Sequence, residues 1–130
     1  MPLQGVDISY HQGKINYSLL NSKSDFVIHR KSIGYYQDYN WPNNWKNLTK
    51  PKSIYHYFYP TLLVDRQFNI LIQDVSRAEL AMPPALDVEY KHTMSKENAA
   101  IAVKKMLQLI ENWYGEPPII YTAYYIWRDY

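Results

Sequence analysis

Apolar residues along the chain fall into short runs of strand character, separated by stretches with helical spacing. Residues 5–9, Gly-Val-Asp-Ile-Ser, read as a strand, followed by a loop and a brief helix over 17–22. Residues 25–30 read as a second strand. Residues 32–50 are rich in Gly, Asn, Tyr and Trp, which predicts a long loop with at most a short helix around 44–48. A third strand is expected over 53–59, closed by Pro60, and the spacing of Phe68, Leu71, Ile72 and Val75 predicts a helix within 65–80. The fourth strand is expected over 84–90. Ser95 then caps a long amphipathic helix whose buried stripe is Ala100, Val103, Leu107, Ile110 and Tyr114. Gly115 ends that helix and Pro117-Pro118 blocks its continuation. Residues 118–122 form the fifth strand, and 124–130 a loop or the start of a helix.

Strand, helix and strand in this order predict parallel βαβ units, hence an α/β fold. The chain's 130 residues suffice for one domain with a core and are short for two. No internal repeat or low-complexity linker interrupts it. Residues 1–5 have neither the basic segment nor the apolar run of a signal peptide, and no window is long and apolar enough to span a bilayer. The expectation is a soluble chain with no membrane partner.

Composition adds one unusual feature, an aromatic fraction of 16% that includes 14 Tyr. Tyrosine suits a surface that is both apolar and hydrogen-bonding, as where sugar rings stack, and it also suits a Tyr-rich core. In residues 32–50, Tyr39, Trp41 and Trp45 either form such a stacking wall or anchor the loop, with anchoring favoured for Trp45. The net charge of +2 comes without any long Lys/Arg cluster, so no nucleic-acid partner is expected, while an anionic polymer is allowed. The absence of cysteine excludes disulfides, thiolate metal sites and cysteine nucleophiles. His11, His29, His56 and His92 fall on different elements with no helical ligand pair, so neither metal nor cofactor is expected. His56 is expected to pack or hydrogen-bond within the strand layer.

The candidate chemistry lies in carboxylates. Asp87 and Glu89 are two apart on the fourth strand, which puts both on one face with Cα atoms about 6.6 Å apart. Mutual repulsion and burial raise the pKa of at least one, suiting it to general acid work while its neighbour opposes positive charge. Glycoside hydrolysis needs such a pair, although a D-x-E at a strand end also serves as a plain solvated or ion-paired feature. Asp7 strengthens the first reading: it sits between Val6 and Ile8, and a lone acid in an apolar strand is costly without a role. In a parallel barrel, Asp7, Asp87 and Glu89 converge at the C-terminal ends of the strands, with Tyr57 and Tyr121 beside them. Arg30, at the end of the second strand, contacts a substrate carboxylate, pairs with Asp7 or sits at the surface.

These residues resemble the family 25 glycoside hydrolases, the Chalaropsis-type lysozymes or N-acetylmuramidases. The matching elements are Gly5-Val6-Asp7-Ile8-Ser9 with Gln12-Gly13, Tyr55-His56-Tyr57 with Pro60, and Pro84-Ala85-Leu86-Asp87-Val88-Glu89. The last is Pro118-Ile119-Ile120-Tyr121-Thr122 with Trp127. Tyr10-His11 departs from the family's His-Trp order after the serine. The resemblance implies a TIM-type (β/α) barrel of which residues 1–130 form the N-terminal portion, stopping after about five of eight parallel strands. It implies cleavage of the β-1,4 bond between N-acetylmuramic acid and N-acetylglucosamine in peptidoglycan, at the cell wall or outside the cell. By position Glu89 is the general acid. Asp87 and Asp7 orient the substrate, oppose developing positive charge or position the substrate's acetamido group. Tyr57, Tyr59, Tyr121 and Arg30 are the candidate substrate-binding residues. The competing reading is an inactive remnant that binds wall glycan or self-associates into a homo-oligomer through open barrel edges.

Overall fold

Alternation along the strands assigns each side chain to one side of a parallel sheet. The computed structural model describes residues 2–130, so Met1 of the opening stretch lies outside it. Its strands are β1 (Gly5–Ile8), β2 (Phe26–Ile33), β3 (Tyr36–Gln37), β4 (Lys52–Tyr57), β5 (Ala85–Val88) and β6 (Ile119–Thr122). Its helices are α1 (Tyr17–Lys23), α2 (Trp41–Asn47), α3 (Val64–Ile72), α4 (Lys96–Tyr114) and α5 (Tyr124–Asp129). Five strands run parallel in the order β1-β2-β4-β5-β6 and curl into a half-barrel, the α/β architecture expected. The short β3 pairs antiparallel with β2.

Val27, Ile54 and Leu86 on the strands and Phe58, just past β4, meet Leu71, Met106 and Ile110 of the helices, all seven with no accessible surface. Each such side chain contributes about 1.5–3 kcal/mol by leaving water. The opposite face carries Asp7, Ile28, Arg30, Tyr55, Asp87 and Tyr121, placed by the pairings Asp7↔Ile28, Arg30↔Tyr55 and Asp87↔Tyr121.

Four local expectations are corrected. The second strand does not stop at Arg30 but continues to Ile33, because the polar residues that suggested a loop are satisfied inside. Lys31 Nζ donates to the Ile70 carbonyl at 2.8 Å and lies over the Trp41 ring, and Ser32 Oγ bonds His56 Nδ1 at 2.7 Å. The short helix of the long loop starts earlier, at Trp41, since Pro42 fits the first turn, where no amide donor is needed. The helix expected within 65–80 ends at Ile72, because Asp74 adopts a left-handed φ of 60° that no continuing helix allows. Along α4, Ala100 is exposed, whereas Ala99, Met106 and Ile110 are buried. Both registers share Val103 and Ile110, and only packing against the sheet selects between them.

Two histidines hold the sheet to its helices. His29 Nε2 bonds the Asn44 amide at 2.9 Å, and Asn44 in turn accepts from the Tyr17 hydroxyl. His56 lies within the strand layer as expected, between Ser32 and Gln67, and burial pulls its pKa down to about 4. Gln67 also joins both backbone groups of Tyr59, taking its N–H at 3.0 Å and donating to its carbonyl at 2.8 Å. Gln67→Leu leaves these partners buried without bonds, so destabilisation on the order of 2–3 kcal/mol is expected in urea unfolding. An unchanged midpoint would show that the network does not brace the β4–α3 junction.

Candidate active site

The strand ends on the inner face enclose a cavity of about 280 Å³. Asp7 from β1, Ile28 from β2, Tyr55 from β4, Asp87 and Glu89 from β5 and its exit, and Tyr121 from β6 line it. Ala85 and Ile119 fill its lower wall. The three acids that the sequence singled out therefore share one cavity, because period-two alternation on a twisted parallel sheet directs them inward from separate strands.

Their environments differ. Asp7 is exposed, so the burial cost expected for an acid within an apolar strand does not arise: β1 is an edge strand and its inner face is open to the cavity. Glu89 lies one residue past β5 and is half-buried. Asp87 is only 8% exposed, and its pKa is pushed up to about 8. Burial is the main cause, followed by a hydrogen bond with Glu89 and the charges of Glu89 and Asp7, while Arg30 opposes the rise. Asp87 Oδ1 meets no donor among the described residues, so its contact with Glu89 is a hydrogen bond only when one of the two carboxyls keeps a proton. The raised pKa expected of one acid thus falls on Asp87.

Arg30 departs from the pairing with Asp7 and from the surface position considered for it. It is 6% exposed, and its Nε–H donates to Asp38 Oδ2 at 2.9 Å rather than to Asp7. Tyr57 neighbours Asp87 in the sheet register, and burial, with the charge of Asp87 next, pushes its hydroxyl up to about 12. Its ring lies 5.4 Å from that of Tyr59, which packs 4.5 Å from Tyr90. Tyr57 and Tyr59 stand beside the cavity rather than in its lining. Trp41 and Trp45 are buried and stacked 5.6 Å apart as anchors, whereas Tyr39 is 91% exposed.

Tyr55 and Asp38 were missed. Tyr55 was within reach, since it alternates with Tyr57 on one strand. Asp38 lies in an irregular stretch where no periodicity applies, and only the folded loop brings it to Arg30. Among the described residues no group of three or more His, Asp or Glu side chains is arranged to hold a metal ion. A second cavity, about 350 Å³ between α4 and α5, is lined mainly by apolar groups such as Val103, Leu107, Ile126 and Trp127.

Comparison with known proteins places this geometry among relatives. The family model for glycosyl hydrolases family 25 matches residues 6–130. The Escherichia coli (strain K12) protein YegX is 26% identical over 132 residues, covering 93% of this chain and 48% of its own length. The chain therefore spans about half the length of the curated relatives it matches. A family 25 glycosyl hydrolase from Bacillus anthracis superposes with a TM-score of 0.89 at 24% identity, over 99% of this chain and 64% of that one. A muramidase from Trichobolus zukalii gives 0.84 at 26% identity, over 97% and 68%. The bacterial lysozyme from Streptomyces coelicolor gives 0.87 at 22%, over 98% and 66%.

Folded Asp87 keeps its proton up to about pH 8, whereas an unfolded aspartate loses it near 4. Between those values the folded chain binds the extra proton, so this group's contribution to stability declines as pH rises through that window. Asp87→Asn removes the penalty. The variant is expected to melt higher than the parent near pH 9, by roughly 3 °C or more, with the gap narrowing towards about pH 4. A gap that is the same at both ends would mean that Asp87 does not carry the proton.

Proposed function

The chain belongs to glycosyl hydrolases family 25, and from that premise we propose that residues 1–130 carry the acid-bearing part of a retaining muramidase. Its substrate is the peptidoglycan glycan strand, cut at the β-1,4 bond between N-acetylmuramic acid and N-acetylglucosamine at the cell wall. The observation that carries this reading is the convergence of Asp7, Asp87 and Glu89 on one cavity, where burial, and after it the hydrogen bond with Glu89, pushes the Asp87 carboxyl up to about 8.

In this reading Glu89, beyond the buried end of β5, passes the shared proton to the glycosidic oxygen. The bond from that oxygen to the anomeric carbon breaks, and the leaving sugar departs as an alcohol. Ionised Asp87 and Asp7 oppose the positive charge that develops at the anomeric carbon. The carbonyl oxygen of the substrate's own acetamido group bonds to that carbon, held in place by the aspartates. Water then displaces it and returns a proton to the carboxyl pair. Tyr121 and Tyr55 offer faces and hydroxyls to the sugar within the cavity, and Tyr57 and Tyr59 extend the aromatic surface beside it.

Glu89→Gln is expected to slow clearing of a cell-wall suspension by about 10²-fold or more while leaving the melting curve intact. Equal clearing by parent and variant would remove Glu89 from the acid role. Because the step needs the shared proton, activity should be present below about pH 8 and decline as pH rises through it.

The free edge of β6 favours a second reading. Ile119, Ile120 and Tyr121 are 41%, 39% and 60% exposed, and an unpaired edge is a template for another chain. On that reading the chain binds glycan without turnover, or self-associates there. Light scattering together with the clearing assay separates the two: an active monomer sinks the second reading, and an inactive dimer sinks the first.

A further inference from the structure

Three carboxyls face the cavity, and the inner face supplies a buried cation, Arg30. A guanidinium beside buried acids ordinarily pairs with them, because its five donors fit a carboxylate and its charge lacks solvent. Here it does not. Arg30 Nε–H donates at 2.9 Å to Asp38, a side chain with no accessible surface. Among the described residues neither Nη group has a protein acceptor, so no hydrogen bond joins Arg30 to Asp7, Asp87 or Glu89.

Asp38 is fixed for this task. Its Oδ2 also accepts the Tyr10 N–H at 3.0 Å, and its Oδ1 accepts the Asn40 N–H at 2.9 Å. Its own N–H donates to the Lys31 carbonyl at 2.8 Å, and its carbonyl takes the Trp41 N–H. One residue thus ties β2, the turn after β1 and the entry to α2 together. The Tyr10 ring closes the other side of the clamp, 5.1 Å from the Arg30 guanidinium.

We propose that Asp38 is a positioning residue for the carboxyl site: by clamping Arg30 to the β2 wall it withholds the guanidinium from Asp87. The inference rests on the reading of these carboxyls as the site of chemistry, and it names a residue that acts on them without touching substrate. Released from Asp38, Arg30 has Asp7 and Asp87 as its nearest alternative carboxylates on the inner face. An ion pair with Asp87 would strip the proton that a general acid needs at neutral pH. The other titratable groups around the pair include Tyr121 of β6, which adjoins Asp87, and Tyr55 and Tyr57 of β4, whose hydroxyls burial pushes up to about 12; on the helix side of the sheet, burial lowers the pKa values of His29 and His56.

The test reads the proton directly and does not depend on turnover. Side-chain carboxyl carbons of Asp and Glu are followed by NMR against pH in the 130-residue chain, in Asp38→Asn, and in Arg30→Gln with and without Asp38→Asn. In Asp38→Asn the titration midpoint of Asp87 is expected to fall by about one unit or more, as an opposite charge within ion-pair reach produces. In the Arg30→Gln background the same change should leave the midpoint in place, because no guanidinium remains to be released. An unmoved midpoint in Asp38→Asn overturns the proposal, and so does an equal fall in both backgrounds, which would reduce the effect to loss of the Asp38 charge. If Asp38→Asn does not fold, Arg30→Gln alone keeps the proposal open to refutation. With the guanidinium already withheld, its Asp87 midpoint should stay close to that of the parent, and a rise of about one unit or more, as loss of an ion-pair partner produces, overturns the proposal. Failure of the parent to clear cell walls would count against the muramidase reading alone and leave this result standing.

Discussion

Charge is tolerable on the inner face of this sheet because the outer face is sealed. Phe58, Ile54 and Leu86 lie against Leu71, Met106 and Ile110 with no solvent between them, and that layer holds the strands in register. Once register is held, Asp87 has no choice of surroundings. Its neighbours in the sheet are Tyr57 on one side and Tyr121 on the other, and Oδ1 is buried without a donor. A carboxylate in such a place is expensive, and the cheaper state is the protonated one. The high proton affinity at the end of β5 therefore follows from packing on the far side of the sheet.

That proton affinity persists only where compensating charge is kept away. Arg30 is close enough to oppose the rise at Asp87 yet is engaged by Asp38. A buried pair of this kind contributes little to stability, since desolvation of both ions offsets their attraction. Its value lies in where it leaves the guanidinium. The same economy governs Lys31, whose amine is turned outward from the sheet to the Ile70 carbonyl and the Trp41 ring, and whose pKa burial lowers to about 8. Both basic residues of β2 are thus held by partners outside the cavity, on opposite sides of the strand.

The polar cross-braces serve the same geometry. His29 with Asn44, and His56 with Ser32 and Gln67, fasten β2 and β4 to α2 and α3 by hydrogen bonds, and His29 must be neutral to accept from the Asn44 amide. Desolvation keeps both imidazoles neutral. Gly5 adds a steric condition at the edge: a Cβ there would stand 2.1 Å from the Phe26 ring, so glycine leaves room for that ring where β1 pairs with β2.

Much of this was legible in one dimension. The five parallel strands, the long helix between Ser95 and Gly115, and the inward direction of Asp7, Asp87 and Tyr121 follow from periodicity and capping, which are local properties of a chain. The motifs around Asp87 sufficed to identify the family by resemblance. What could not be read was set by groups distant in sequence. Ala99 and Ala100 present equal apolar surface until the sheet selects one, and Lys31 resembles a loop residue until the Ile70 carbonyl and the Trp41 ring meet it. Arg30 had three candidate roles, and Asp38, eight residues on in an irregular loop, supplied a fourth. Local pattern determines which face a residue occupies; the charge it meets there is decided by long-range packing, since electrostatic partners in a low-dielectric interior are chosen by distance in space.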